Sequence, residues 1–421
     1  MPSRRLFLKS SALAMFGVGS VPVWLSRAVY AQDAPRASFR AAAPGQRKKV
    51  LIAIFQRGAV DGLNMVIPHS EPAYYELRPS IAIPRPDGTE KAAIDLDGRF
   101  GLHPSLQGLK RLWDERQFAI VEAVGSPDPT RSHFDAQDYM ESGTPGLKAT
   151  PDGWLNRALN REPHSAPLRA VSLSPDVPRS LRGSNEVIAI GSINDFQMRD
   201  PQAAAVFESM YGSTADKVLN GTARETFEAI RIMKSIQRTP YTPANSAKYP
   251  NGRLGQSLQQ IARLIKADVG LEVAFADVGG WDTHVNEAGA QPHTGQLANL
   301  LRDFGDALAA FSLDMGDRMA DITLVTMSEF GRTVKENGDR GTDHGHANVM
   351  FLLGGAVRGG KVYGDWPGLE RERLYEGRDL NVTTDFRTVL AELVNKRMGN
   401  QEIASVFPGF TGAQNRGLLK A

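Results

Sequence analysis

Apolar runs of strand length recur along the chain. Val50 to Phe55 (VLIAIF), Phe118 to Val124 (FAIVEAV), Leu271 to Ala276, Ile322 to Met327 and Val349 to Leu353 are short and nearly unbroken, the pattern of strands buried on both faces. Longer amphipathic stretches separate them. Leu106, Leu109 and Leu112 fall at helical spacing, and helices are predicted over 134–142, 223–236, 254–268, Leu297 to Ser312 and Asp385 to Lys396. Strand alternating with helix predicts an α/β fold with a mostly parallel central sheet covered by helices on both faces. Residues 145–260 break the pattern with polar loops and turn segments such as Pro151-Asp152-Gly153. They read as an insertion between the second and third core strands, and no internal repeat is present.

Polar residues gather at the ends of these runs. The first strand leads into Gln56-Arg57-Gly58-Ala59-Val60-Asp61-Gly62, the third into Gly280-Trp281-Asp282-Thr283-His284, and the fourth into Ser328-Glu329-Phe330-Gly331-Arg332. The fifth strand is preceded by its polar group, Asp343-His344-Gly345-His346. Ligands of open parallel sheets sit outside the carboxyl ends of the strands, so such loops converge. Five of the eight histidines (His133, His284, His293, His344, His346) lie near them. Asp61, Asp282, His284, Glu329, His344, His346 and His133 are therefore candidate ligands. Asp, Glu and His without Cys suit Zn²⁺, Mn²⁺ or Mg²⁺. Each has a plainer use: Asp61 as a turn or helix-cap residue, Glu329 as the ion-pair partner of Arg332, and 343–346 as a solvated turn.

After the second strand comes Pro129-Thr130-Arg131-Ser132-His133. A hydroxyl beside a basic residue and a histidine can serve as an activated nucleophile. Ser132 equally suits the N-cap of the helix that follows, and a helix N-terminus stabilises an anion. Arg131 and Arg332 are candidates to grip anionic oxygens. Gly355 to Lys361 mimics a phosphate-binding loop but is followed by Val362 where Ser or Thr is required, which excludes that reading.

The absence of cysteine excludes disulfides and thiolate metal sites. Ser3-Arg4-Arg5-Leu6-Phe7-Leu8-Lys9, a weak apolar stretch and Val29-Tyr30-Ala31 make 1–31 a twin-arginine signal peptide with a cleavage site, followed by a flexible leader over 32–48. The apolar stretch is too short to anchor the chain in a membrane. A single α/β domain is expected over 49–421, with the insertion at about 145–260. The expected location is periplasmic or extracellular, by the bacterial twin-arginine route, with the translocase as an export partner. The signal holds four basic residues and no acid, leaving 45 basic against 47 acidic residues. Near neutrality argues against nucleic acid as a partner.

The segments RGAVDGLNMVIPH, RSHFDAQDYMESGTP, DVGGWDTH, TMSEFGRT and DHGHANVMFLLGGAVRGGKVYGDWPGL together resemble the family known as domain of unknown function 1501. That family is similar in fold to the alkaline phosphatase and sulfatase superfamily. The resemblance implies an alkaline-phosphatase-like fold with two metal sites at strand ends. Asp61 matches the first metal-binding Asp, Asp282 and His284 the central ligands, and His344 or His346 the late His. Ser132 matches the nucleophile, with Thr130 as second choice. At the fourth strand end Glu329 stands for the usual Asp and Phe330 for the usual His, so one ligand is lost unless His133 or the second of His344 and His346 replaces it. Two functions follow as expectations. One is an exported metal-dependent hydrolase of phosphate or sulfate esters, acting on a small anionic ester. The other is a non-catalytic binding or assembly protein that takes a cell-envelope ligand.

Overall fold

The computed structural model describes residues 47–160, 166–193, 217–412 and 414–420. The signal peptide expected at 1–31 and nearly all of the leader at 32–48 lie outside the described residues.

The central sheet contains β1 (Val50–Gln56), β2 (Phe118–Gly125), β3 (Ala170–Ser172), β4 (Ile188–Ala189), β5 (Val273–Val278), β6 (Ile322–Met327), β7 (Asn348–Leu353), β8 (Lys361–Tyr363) and β9 (Thr384–Asp385). Its order is β8-β2-β7-β6-β1-β5-β3-β4, with β9 also on β2. All neighbours are parallel except β7, which is antiparallel to both β2 and β6. The five predicted core strands all form. The segment read as an insertion supplies β3 and β4, so it extends one edge of the sheet.

Helices α1 (His133–Ser142), α2 (Trp154–Ala158), α3 (Lys217–Arg238), α4 (Arg253–Lys266), α5 (Gln296–Met315) and α6 (Phe386–Met398) complete the layers used below. Alternation along β1 serves both faces. Ile52 and Ile54 join Leu258 and Ile261 of α4 and Leu301 and Phe304 of α5 in one core. Leu51, Ala53 and Phe55 join Trp154 of α2 and Val389, Leu390 and Leu393 of α6 in the other. Each buried Leu, Ile, Val or Phe side chain among them contributes about 1.5–3 kcal/mol. The sheet is thus a stiff base for the loops at its edge.

The reversed strand matters for those loops. Asn348, at the start of β7, pairs with Val124, near the end of β2. The start of β7 therefore lies beside the carboxyl ends of its parallel neighbours. This is why a polar group precedes the fifth apolar run yet follows the others. Among the described residues, no helix is long and apolar enough to cross a membrane.

Candidate metal centre

Three loops and the first turn of α1 meet at this edge. Beyond β1, Gly58 has φ +117°, and a Cβ there would stand 2.7 Å from the Asp282 nitrogen, so only glycine lets the 57–59 turn lie against the Asp282 loop. Trp281 anchors that loop from below: its indole donates to the Val278 carbonyl at 3.0 Å and meets Phe304 edge-on. The 343–346 segment lies against the loop that follows β6, with His344 paired antiparallel to Arg332. Gly345 is needed here for close approach, because a Cβ would lie 2.4 Å from the Arg332 carbonyl carbon.

Three imidazoles converge on one carboxylate. His344 Nε2 lies 3.0 Å from His133 Nε2 and 3.0 Å from His284 Nε2. Asp282 Oδ1 is 3.0 Å from His284 Nε2 and 3.3 Å from His344 Nε2, and Asp282 Oδ2 is 3.5 Å from His133 Nε2. The opposite nitrogen of each ring faces a pure acceptor. His133 Nδ1 is 2.8 Å from Glu329 Oε1, His344 Nδ1 is 2.9 Å from the Arg131 carbonyl, and His284 Nδ1 is 3.1 Å from Asp343 Oδ1. In the tautomer that places the proton on Nδ1, toward these acceptors, each neutral ring turns its Nε2 lone pair inward, to where the Asp282 carboxylate also lies. Facing lone pairs repel unless a cation lies between them. Two nitrogens each about 2.1 Å from a shared ion stand about 3.0 Å apart at a right angle and about 3.4 Å apart at the tetrahedral angle. The observed spacing therefore fits one ion. Among the described residues, His133, Asp282 and His344 form the group whose donor atoms mutually satisfy metal-site spacing, and His284 adjoins it.

The surroundings reinforce this polarity. Burial pushes the Glu329 carboxyl up, but hydrogen bonds from His133, Gln137 and the Gly58 N–H outweigh it and hold it below its ordinary value. Asp282 is likewise held below its ordinary value, burial being outweighed first by the Arg332 guanidinium. The Glu329 hydrogen bond raises the His133 pKa against burial, and burial lowers that of His344. Phe330 packs against two of the rings, its centroid 4.9 Å from His133 and 5.0 Å from His344.

Not every sequence candidate arrives here. Asp61, expected as the first metal-binding Asp, is fully buried and paired with the equally buried Arg78, at 2.5 Å from Nη1 and 3.1 Å from Nη2. Both its oxygens serve that pair. Glu329 stands one layer back, as the carboxylate that orients His133. His346 points elsewhere: its Nε2 meets the Ser126 carbonyl at 3.1 Å and its ring packs on Tyr375. His133, from α1, brings its Nε2 to the group that Phe330, an apolar residue, cannot join.

Both arginines are engaged. Arg131 binds Asp379 and Glu376 through its guanidinium. Arg332 is buried and donates to the Ala59, Thr342, Gly58 and Trp281 carbonyls and to Asp282 Oδ1. Its role is to set the Asp282 carboxylate in place. Thr130 Oγ1 accepts from the Ser132 N–H at 3.2 Å, which shapes the turn. Ser132 is the N-cap residue of α1, but its hydroxyl makes no capping hydrogen bond.

Two contributors were missed in the sequence: Asp343, which orients His284, and Gln137, which braces Glu329. Asp343 adjoins a candidate ligand, a usable signal. Gln137 had none, because its role depends on where α1 docks.

The family described as "Protein of unknown function (DUF1501)" matches residues 117–405. The matched span includes His133, Asp282, His284, Glu329 and His344 but not Asp61. No curated protein matches the chain. Among solved structures, the lipoteichoic acid synthase LtaP from Listeria monocytogenes is 10% identical, covering 85% of this chain and 73% of that one at TM-score 0.31. The PH0037 protein from Pyrococcus horikoshii is 11% identical, covering 75% and 87% at TM-score 0.26. Likenesses at this level transfer neither a residue role nor a function.

Proposed function

This chain belongs to the DUF1501 family, and from that premise we propose that it holds one divalent metal ion on His133, Asp282, His284 and His344 and hydrolyses an anionic phosphate or sulfate ester. The observation that carries the reading is the convergence of three Nε2 atoms on Asp282 with every Nδ1 anchored behind them. Three imidazoles favour Zn²⁺ over Mg²⁺, which prefers oxygen ligands and retains its waters. When bound, the ion supplies a Lewis acid that neutralises charge developing on an ester oxygen.

The chain's own residues do the rest. Ser132, whose hydroxyl is not spent on capping, is the proposed nucleophile, and Thr130 holds its backbone through the N–H contact. The N–H groups of the first turn of α1 favour an anionic group beside it. Phe330 shields one side of His133 and His344 from water. The four-ligand group and the engaged Asp61 favour a one-ion site over a two-ion one.

The test is elemental mass spectrometry of the purified protein. One equivalent of metal, lost in Asp282→Ala, is expected, together with ester hydrolysis lost in Ser132→Ala. A folded protein that retains no metal from Zn- or Mn-supplemented medium sinks the proposal. The engagement of Arg131 and Arg332 favours a second reading, a binding protein of the cell envelope. A phenotype unchanged by Ser132→Ala, with metal retained, selects it. We further propose periplasmic or extracellular placement. Cell fractionation should show retention in the cytoplasm when Arg4 and Arg5 are both changed to Lys.

A further inference from the structure

Among the described residues, large apolar side chains are overwhelmingly buried, and the exceptions are not scattered. Among the described residues, the exposed ones are Phe134 at 90%, Leu147 at 56% and Val285 at 53%. Phe134 directly follows His133 and Val285 directly follows His284, and the Nε2 atoms of both histidines lie 3.0 Å from His344 Nε2. Neighbouring Cα atoms are about 3.8 Å apart, so the backbone of both residues adjoins the site while their side chains lie in solvent. Leu147 belongs to the same neighbourhood. Lys148 bonds Asp135 at 2.6 Å, which ties its loop to the first turn of α1, one residue from Phe134.

Isolated exposed apolar residues need no explanation, but a group beside convergent polar donors has the form of a ligand site. The donor group and the α1 N-terminus take a polar, anionic head. They offer nothing to the rest of a ligand, whereas Phe134 and Val285 do.

We infer that the ligand of this site is an amphiphile, whose anionic ester head meets the His-Asp group and whose aryl or alkyl part lies over Phe134 and Val285, with Leu147 extending the apolar path. This rests on the metal reading above. The apolar part removes water from Phe134, and specificity lies in that contact because the head is common to many esters. The same chemistry is presented by a dissolved aryl ester and by a lipid headgroup in a bilayer, and the inference commits to the dissolved molecule.

The experiment is calorimetric titration of the metal-loaded full chain with methylphosphonate and phenylphosphonate, stable mimics of the ester head. Phenylphosphonate should bind at least about tenfold more tightly, the gain from burying an aromatic side chain and its partner. Phe134→Ser and Val285→Ser, changes at exposed positions, should erase the difference between the two ligands. Equal affinities in the wild type overturn the inference while leaving the metal site standing. Absence of both metal and methylphosphonate binding overturns the metal reading and this inference with it. Phe134-dependent sedimentation with phosphatidylcholine vesicles, without a phenyl preference in solution, reassigns the rim to bilayer contact and overturns it as well.

Discussion

Replacing Asp61 by Asn separates a structural carboxylate from a metal ligand. Asp61 and Arg78 are both fully buried, joined at 2.5 and 3.1 Å, and Arg78 also donates to the Thr333 and Val334 carbonyls. Removing one member of such a pair costs about 3–5 kcal/mol, because the other charge stays buried. One group can offset part of this. Burial first, and then Asp61 beside it, push the Glu287 carboxyl well above the ordinary range. With Asp61 neutral, Glu287 can ionise against Arg78, which moves the expected cost toward the lower limit. At about 2 °C per kcal/mol for a chain of this size, Tm should fall by roughly 5–10 °C. Arg78 holds the folded Asp61 pKa below its ordinary value against burial. The stabilisation is therefore complete above the unfolded value of about 3.9 and is lost as pH falls through the folded value. The gap between wild type and variant should be open at pH 7 and narrow in acid. Thermal unfolding by circular dichroism with EDTA present measures it, and metal content is read in parallel on untreated protein. A variant that loses its metal with an unchanged Tm refutes the reasoning and returns Asp61 to the ligand set.

Glu329→Gln leaves a hydrogen-bonding group behind His133 but removes its charge, and metal affinity measured by chelator competition should fall about 10- to 100-fold; an unchanged affinity denies Glu329 its orienting role. Gly58→Ala forces a left-handed backbone on a residue with a Cβ, costing about 1–2 kcal/mol before its contact with the Asp282 nitrogen is counted; a lowered Tm and weaker metal retention are expected together. Asp314 accepts from Tyr241, Tyr249, Lys266 and the Ala244 N–H, and these bonds outweigh burial to hold its carboxyl below the ordinary value. Asp314→Asn should therefore lower Tm at neutral pH, and the difference from wild type should disappear as pH drops below the folded pKa; a difference that does not depend on pH counts against a charge-based role.

The strands were legible because burial on both faces leaves an unbroken apolar run, a property of a few adjacent residues. VLIAIF and the run Ile322 to Met327 form β1 and β6 almost to the residue. That Asp282 and His284 follow one apolar run and His344 precedes another was legible for the same reason. The direction of β7 was not deduced, although its polar group on the opposite flank was the visible trace of it. What local sequence left open was the fate of each charge. Asp61 and Asp282 both follow strands, yet one is neutralised by Arg78 and the other is set by Arg332 against three imidazoles. His344 and His346 lie two residues apart, yet only one turns toward His133. These choices depend on contacts such as His133 with Glu329, 196 residues apart. Such contacts exist only once the sheet register and the docking of α1 place their backbones within hydrogen-bond reach.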